Sequence, residues 1–231
     1  MDTIKHIFFD LDNTLWDFRG NAKLALAELY KKYEVQEKYG FGFEEFHPYY
    51  HDSNEGLWEL IRDKKITKEE LRERRFLDAF TNMGIDDAPL AALFEKEYME
   101  TITNYNLVVE GAIELLDYLK PAYQLHIITN GFIEVSQRKI TSSNLQNYFH
   151  TVTYADELQI LKPDPRIFQH ALDKSGAKKE ESVYIGDDWI ADAVGAKDFG
   201  MHSVFFDRFD EKLTYDGVIN VQTLEEIKEF L

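Results

Sequence analysis

The sequence predicts an α/β fold, a doubly wound parallel sheet that carries an all-helical insertion near its start. A short apolar run, Ile7-Phe8-Phe9, predicts a buried strand at the beginning of the chain. Residues 21–104 show helical spacing and no convincing strand, and from residue 111 onward apolar strand runs alternate with helices. Strands separated by helices pair in parallel through right-handed crossovers, which covers both faces of the sheet.

The first strand is predicted over residues 5–10, because a continuous apolar run is typical of a parallel strand buried on both faces. The insertion contains two clear helical segments, residues 22–30 and 67–72. The second begins with Thr67, and Glu70 follows three residues later, which is the capping-box pattern of a helix start. The chain of 231 residues is long enough for one domain with a large insertion or for two domains.

The part of the chain after the insertion predicts a regular alternation of helices and strands. The helices are expected at residues 111–120, 136–143, 165–175 and 191–199, and the strands at residues 124–129, 151–154, 182–185 and 202–206. A short apolar stretch at residues 218–221 and a closing helix at residues 224–231 complete the chain.

The chain is strongly acidic, with 26 Lys and Arg against 43 Asp and Glu and a net charge of -17. Such a charge repels polyanions, so we expect neither a nucleic-acid polymer nor an anionic membrane as a partner. No run approaches the roughly 18 apolar residues of a membrane span, and the start lacks the pattern of a secretory signal. We therefore expect a soluble, cytoplasmic protein. The lack of cysteine excludes disulfides, thiolate metal sites and a cysteine nucleophile.

Two carboxylates, Asp10 and Asp12, lie at the end of the first predicted strand. Because side chains alternate along a strand, residues two apart share a side, and both carboxylates can point into the crevice beyond the strand's carboxyl end. Ligands of open α/β sheets bind in that crevice. An isolated Asp-x-Asp pattern is weak, since acidic pairs commonly lie on solvated turns, so its meaning depends on the rest of the chain.

Three more polar sets follow later in the chain and complement this pair. They are Thr129-Asn130-Gly131, Lys162-Pro163-Asp164 and Gly186-Asp187-Asp188, with Asp192 close behind. A cluster of these carboxylates would be repulsive unless a divalent cation and a lysine offset its charge. Carboxylate oxygens and water suit Mg2+, and the cation would also let a carboxylate nucleophile approach a phosphate dianion.

The polar sets suit different parts of a reaction at a phosphate ester. Lys162 and the Thr129 hydroxyl suit the phosphoryl oxygens, which leaves Asp12 for proton transfer. One of Asp187 and Asp188 can instead cap the following helix, a role that Asp fills well. We favour Asp187 as the metal ligand because it directly follows a glycine.

In this order the four sets resemble the four motifs of the haloacid dehalogenase-like hydrolase superfamily. The resemblance spans essentially the whole chain and implies a Rossmann-like core, an aspartyl-phosphate intermediate and Mg2+ as the cofactor. A helical domain inserted directly after the first motif resembles the type-one cap of this superfamily. The core is then expected over residues 1–17 and 106–231, and the cap, which selects the substrate, over residues 18–105.

The resemblance also implies a role for each motif residue. Asp10 would be the nucleophile and a metal ligand, and Asp12 the general acid and base with its backbone carbonyl on the metal. The other implied roles are Asp187 as the remaining metal ligand; Thr129, Asn130 and Lys162 at the transferring phosphoryl group; and Asp188 and Asp192 behind the direct metal ligands. Many relatives have Ser or Thr in place of Asp188, so the division of roles among Asp187, Asp188 and Asp192 stays open. Related dehalogenases lack an acid two residues after the nucleophile, because a halide leaves without a proton, whereas an alkoxide needs one. Asp12 therefore favours a phosphatase.

Segments of the insertion, residues 54–58, 65–71 and 74–76, resemble the cap of a bacterial pyrimidine 5'-nucleotidase family. This resemblance implies a small-molecule phosphate monoester as the partner, namely a nucleoside 5'-monophosphate. Trp16 or Trp58 would then stack on the base, and Arg75 would contact a nucleotide oxygen. The alternatives are a packing role for Trp58 and a surface or ion-pair position for Arg75.

Other functions stay open at this level. A phosphatase of phosphoglycolate or of a sugar phosphate, or a phosphomutase, would use the same core with a different cap specificity. A receiver domain also has a phosphorylatable Asp at a strand end, but the long insertion and Asp12 argue against it. The strand histidines, His6 and His126, are expected to be buried and not catalytic, because the site needs no imidazole. The chain is expected to be a monomer or a dimer.

Overall fold

The computed structural model describes residues 3–231, which form two compact units. The first unit comprises the residues up to Phe18 together with Asn106–Leu231, and the second is Arg19–Tyr105. None of the helices in the described range combines the length and apolar character that crossing a membrane requires.

The first unit is built on a six-stranded sheet in which every paired strand is parallel. The strands are β1 (His6–Phe9), β2 (Gln124–Thr129), β3 (Phe149–Tyr154), β4 (Ser182–Gly186), β5 (His202–Phe206) and β6 (Val218–Val221), and their order is β3-β2-β1-β4-β5-β6. The chain thus winds outward from β1 to one side and then, from β4, to the other. The prediction of a doubly wound parallel sheet is confirmed, and the crevice where the winding direction changes lies at the end of β1.

The second unit is helical throughout. Its helices are α1 (Phe18–Lys32), α2 (Val35–Tyr39), α3 (Phe43–Arg62), α4 (Lys68–Met83) and α5 (Ala88–Thr101), followed by a 3-10 turn at Ile102–Asn104. The predicted capping box starts α4, where the Thr67 hydroxyl accepts a hydrogen bond from the Glu70 amide. Aromatic rings fill the interior of this unit; Phe80 stacks on Phe46 at 5.1 Å between centroids and meets Phe94 edge-on at the same distance.

The remaining helices of the first unit connect its parallel strands. They are α6 (Ala112–Leu119), α7 (Ile133–Ser142), α8 (Ala155–Leu158), α9 (Pro165–Ser175) and α10 (Gly195–Phe199). A buried apolar cluster fixes α9 and α10 against the sheet, with Phe168 packed edge-on against Tyr184 at 5.5 Å. This packing places α9 and α10 against the sheet whose strand ends carry the polar motifs.

Two predicted helices differ from the structure. The helix expected at residues 191–199 is a π-helical segment, Trp189–Val194, that continues into α10. The Asp188 carbonyl accepts from the amides of both Asp192 and Ala193, so the first turn is wider than an α-turn. The closing helix expected at residues 224–231 is a short 3-10 helix, Leu224–Glu229, which begins with a second capping box at Thr223.

Candidate active site

Asp10 directly follows β1 and is buried at the crevice. Its amide donates to the carbonyl of Ile185 in β4 at 2.9 Å, which continues the sheet by one residue and fixes the start of the side chain. One carboxylate oxygen, Oδ1, accepts from Lys162 Nζ at 2.5 Å. Burial raises the pKa of Asp10 to about 7, against the opposing effect of the Lys162 charge. Asp10 therefore needs positive charge around it to act as a carboxylate.

Lys162 is the central cation of the site. Its buried ammonium donates to Asp10 Oδ1 at 2.5 Å, to Asp192 Oδ1 at 2.6 Å and to the Tyr184 hydroxyl at 2.8 Å. The Tyr184 hydroxyl in turn lies 3.0 Å from Asp192 Oδ1 and 3.2 Å from the Ile128 carbonyl, the two acceptors for its proton. Burial alone would lower the pKa of Lys162, but the two carboxylates raise it above its usual value.

Three carboxylates gather within reach of one cation. Asp10, Asp187 and Asp192 each bring an oxygen to within 4.8 Å of the others. Burial, together with the neighbouring acidic charges, raises the pKa of Asp187 well above its usual range, and Thr14 Oγ1 donates to Asp187 Oδ1 at 3.0 Å. Crowded carboxylates of this kind, two of them buried, fit a hard divalent cation such as Mg2+, which takes oxygen ligands and offsets their repulsion.

Asp192 belongs to this triad, although the superfamily resemblance predicts that it lies behind the direct metal ligands. Its Oδ1 accepts from Lys162 and Tyr184, and its Oδ2 accepts from the Asp188 amide at 3.1 Å. Both oxygens are thus already hydrogen-bonded, although the residue lies in the triad. Asp12 contributes no carboxylate to this group, and the role of its backbone carbonyl as a metal ligand stays a prediction.

Of the neighbouring residues Asp187 and Asp188, it is Asp188 that caps the following helix, one of the alternatives that the sequence leaves open. Asp188 Oδ1 accepts from the amides of Ile190 at 2.9 Å and Ala191 at 2.7 Å, so its carboxylate caps the π-helical segment. The Asp188 side chain is exposed and engaged in capping, and the place of this residue behind the direct metal ligands stays a prediction. Its amide, which binds Asp192, is the part that faces the triad.

The loop after β2 forms the other wall of the site. Thr129 is buried, and its hydroxyl accepts from the Gly131 amide at 3.0 Å. A Cβ atom on Gly131 would lie only 2.7 Å from Ser136 Oγ, so a larger residue here would require the Ser136 side chain to move, whereas Asp12 Oδ2 would be in ordinary contact at 3.4 Å.

The Asn130 side chain is hydrogen-bonded to the backbone of Lys162. Its Nδ2 donates to the Lys162 carbonyl at 3.1 Å, and its Oδ1 accepts from the Lys162 amide at 2.8 Å. The contact of Asn130 with the phosphoryl group stays a prediction, since Nδ2 carries a second proton besides the one donated to the Lys162 carbonyl. Asn130 therefore joins the loop after β2 to the loop that carries Lys162.

Asp12 lies beside this loop and is paired with a residue that sequence reasoning missed. Its Oδ1 accepts from Lys139 Nζ at 2.6 Å, and the Lys139 side chain is only 5% exposed, against 26% for that of Asp12. Lys139 lies on α7, four residues after the buried Val135 and three after the buried Ser136. A lysine at a buried helical position was the available sequence signal.

Trp16 does not present a stacking surface. Its side chain is fully buried, and Lys139 Nζ lies 4.5 Å from its ring centroid. The prediction that Trp16 stacks on a base is therefore wrong for this structure, because no face of the ring is open to a ligand. The indole is a packing residue of the first unit.

The two remaining predicted specificity residues belong to the second unit. Arg75 is buried and donates to Glu95 from Nε at 3.0 Å and from Nη2 at 2.8 Å, with Tyr98 5.0 Å from the guanidinium. The ion-pair alternative holds for Arg75, and its predicted contact with a nucleotide is corrected. Trp58 is half-buried on α3, with Lys68 Nζ 5.7 Å from its ring centroid, and its stacking on a base stays a prediction.

The strand histidines, His6 and His126, are buried, and their side-chain hydrogen bonds do not involve the motif residues. His6 Nδ1 and His126 Nε2 are hydrogen-bonded at 3.1 Å, and His126 Nδ1 is hydrogen-bonded to Thr151 Oγ1 at 2.8 Å. Their position agrees with the expectation that they are satisfied core residues.

A sequence model of the haloacid dehalogenase-like hydrolase family matches residues 4–200. The chain therefore belongs to the haloacid dehalogenase-like hydrolase family, as its four motifs predict, and the expected enzyme class, a hydrolase, is confirmed.

Individual relatives match over most of their length. The chain is 30% identical over 204 residues to the pyrimidine 5'-nucleotidase PynA of Streptococcus pneumoniae, covering 87% of this chain and 83% of PynA. It is 33% identical over 208 residues to a glyceraldehyde 3-phosphate phosphatase of Pyrococcus furiosus, covering 89% and 82%. The fold is similar to that of the HAD-hydrolase YfnB of Bacillus subtilis, solved bound to magnesium, with a TM-score of 0.85, 23% identity and coverage of 98% and 97%.

Proposed function

We propose that this protein is a Mg2+-dependent phosphatase that hydrolyses pyrimidine nucleoside 5'-monophosphates through an aspartyl-phosphate on Asp10. The observation that carries the proposal is the arrangement at the end of β1. A buried carboxylate, Asp10, is paired with the buried Lys162 and belongs to an acidic triad, while a second acid, Asp12, lies two residues away. A nucleophile, a counter-charge, a cation site and a proton donor thus occur together.

Two displacements at phosphorus account for the hydrolysis. Attack by an Asp10 oxygen forms the phosphoaspartate and breaks the ester O–P bond, while Asp12 gives a proton to the departing alkoxide oxygen. Water then attacks the phosphorus, Asp12 accepts the proton of that water, and the Asp10 O–P bond breaks to release inorganic phosphate. Lys162 and the loop at Thr129 hold the phosphoryl oxygens during both displacements.

The residues suited to hold Mg2+ are Asp10 and Asp187, with the backbone carbonyl of Asp12 and with Asp192 beside them. When bound, the cation would supply the positive charge that lets a carboxylate approach a phosphate dianion. The raised pKa values of Asp10 and Asp187 support this assignment, since burial and the neighbouring acidic charges favour their neutral forms, and a bound cation would favour the charged forms.

The substrate is the finer part of the proposal. The relationship to PynA and the nucleotidase-like segments of the second unit favour a nucleoside monophosphate. The relationship to the Pyrococcus phosphatase favours a second candidate, a three-carbon sugar phosphate. We expect the second unit to select between them. The cytoplasmic location and the monomeric or dimeric state stay predictions.

The test is phosphate release from a panel of monoesters, with Mg2+ or with a chelator. The panel contains pyrimidine and purine nucleoside 5'-monophosphates, glyceraldehyde 3-phosphate and phosphoglycolate. We expect Mg2+-dependent turnover with pyrimidine nucleotides preferred, and loss of turnover in Asp10→Asn with the circular dichroism spectrum retained. Full activity of that variant would contradict the mechanism. A sugar phosphate with a tenfold higher kcat/KM than every nucleotide, about 1.4 kcal/mol in transition-state binding, would contradict the nucleotide assignment.

A further inference from the structure

Lys139 is a buried cation that the chemistry proposed above leaves without a role. It lies on the interior face of α7, whose buried residues are Val135, Ser136, Lys139 and Ile140. A buried ammonium is costly unless it is paired, so its partners indicate why it is there.

The partners of Lys139 surround its ammonium group on several sides. Nζ donates to Asp12 Oδ1 at 2.6 Å, and it lies 4.5 Å from the ring centroid of Trp16 and 5.2 Å from that of Phe18. Aromatic faces attract a cation at these distances, and the rings are part of the packed segment that follows the first motif. The rings of Trp16 and Phe18 therefore help to fix the position of the ammonium independently of its hydrogen bond to Asp12.

The consequence for Asp12 is that its two oxygens differ. Oδ1 is taken by Lys139, whereas Oδ2 has no hydrogen-bond donor among residues 3–231. Oδ2 is also the oxygen that faces the loop after β2, since it lies 3.4 Å from the Cβ position of Gly131, which is itself 3.2 Å from Thr129 Oγ1. One oxygen is anchored and the other is directed at the place where the ester would bind.

We propose that Lys139 is a positioning residue: through Oδ1 it orients Asp12 so that Oδ2 exchanges the proton with the leaving group. This inference rests on the proposed function and deepens it. Oδ2 carries the proton in the first step and gives it to the ester oxygen as the O–P bond breaks. In the second step Oδ2 takes a proton from water as the Asp10 O–P bond breaks, and Lys139 keeps its protons throughout.

The experiment compares leaving groups in Lys139→Met and in a matched control. Arg138→Met removes one positive charge from the next residue of the same helix, where the side chain is exposed. The substrates are 4-nitrophenyl phosphate, whose leaving group needs little protonation, phenyl phosphate, and a nucleoside 5'-monophosphate, whose alkoxide needs a proton. Lys139→Arg tests rescue by a conservative change, and Lys139→Gln replaces Lys139→Met if the latter does not fold.

We expect kcat of Lys139→Met to fall about 100-fold or more for the nucleotide and less than about 5-fold for 4-nitrophenyl phosphate, with KM little changed, as the loss of general acid catalysis predicts. Asp12→Asn should give the same leaving-group pattern, and adding Lys139→Met to it should cause no further loss. Arg138→Met should resemble the wild type, and Lys139→Arg should recover part of the nucleotide activity.

Equal losses for all three substrates, or a rise in KM alone, would overturn the proposal, because they would indicate phosphate binding or general damage. If nucleotides are poor substrates but other monoesters are hydrolysed, the nucleotide assignment fails and the aryl and alkyl esters still decide the role of Lys139. If no monoester is hydrolysed, the proposed function fails. Crystal structures of the wild type and Lys139→Met then decide the positioning, which an unmoved Asp12 side chain would refute.

Discussion

Asn130 and Lys162 are hydrogen-bonded to each other in both directions, side chain to backbone, at 3.1 Å and 2.8 Å. The pair ties the loop after β2 to the loop that precedes α9, although 32 residues separate them in sequence. The Asn130 side chain thus fixes the position of the Lys162 backbone, from which the ammonium extends into the site.

Replacing Asn130 should therefore affect both stability and turnover. Asn130→Ala removes both hydrogen bonds and leaves backbone groups of Lys162 without partners, so we expect a loss of about 1–3 kcal/mol in the free energy of unfolding. Small misplacements of catalytic groups cost up to about 100-fold in rate, so kcat should fall steeply. Urea denaturation and phosphate release measure the two effects. Asn130→Asp, which keeps the acceptor, should lose less of both, and equal losses for the two variants would contradict this account.

The Tyr184 hydroxyl should contribute to stability through Lys162. Tyr184→Phe leaves the ammonium one acceptor short and removes the donor to Asp192, which should cost about 1–3 kcal/mol. Tyr154→Phe is the matched control, because the Tyr154 hydroxyl makes no hydrogen bond to the described part of the chain. We expect its free energy of unfolding to stay within about 0.5 kcal/mol of the wild type. Similar losses in both variants would show that the network around Lys162 is not what Tyr184 stabilises.

The histidine pair should make stability depend on pH. Burial, with the neighbouring His6 and His150, lowers the pKa of His126 to about 3. An unfolded histidine titrates near 6.5, so the unfolded chain takes up a proton that the folded chain refuses as the pH falls from about 6.5 toward 3. His126 thus favours the folded state fully above that window and progressively less within it, by up to about 5 kcal/mol.

Denaturation at several pH values tests this dependence. The free energy of unfolding of His126→Gln should fall less than that of the wild type between pH 6.5 and pH 4. His202→Gln, which replaces an exposed histidine of β5, should follow the wild type. A constant difference between the wild type and His126→Gln across this range would contradict the prediction.

The buried ion pair of the second unit should matter for folding and not for substrate binding. Arg75→Met leaves Glu95 buried without its partner, which typically costs about 3–5 kcal/mol. Arg74→Met, which breaks the more exposed pair with Asp78, should cost no more than about 1 kcal/mol. The measurements are urea denaturation and KM for the preferred monoester. A stable Arg75→Met variant with a strongly raised KM would restore the rejected idea that Arg75 contacts the substrate.

The fold was predictable because its signals are local. Continuous apolar runs marked the parallel strands, and the motif at Asp10 could be assigned to a strand end before any contact was known. The π-helical segment was not predictable, since it depends on how the Asp188 carbonyl is shared between two amides, a detail that periodicity does not carry.

The site was predictable only where its residues carry their own motif. Lys139 and Tyr184 lie on a helix face and in an apolar strand, and their partners are 127 and 22 residues away, so sequence spacing gives no sign of the contacts. Trp16 and Arg75 were misassigned for the opposite reason. Their side-chain types suit a nucleotide, but both side chains are buried against other residues of the protein, which the sequence alone does not show.

The ammonium of Lys162 has three protons, and Asp10, Asp192 and Tyr184 already accept all three. A phosphoryl oxygen that binds this lysine cannot simply be added to the network; it must replace one of the three acceptors. Substrate binding at Lys162, as proposed, would therefore be an exchange, and its affinity would depend on the difference between the hydrogen bond formed and the one lost. If Asp10 is the acceptor that gives way, arrival of the phosphate itself releases the oxygen that attacks it.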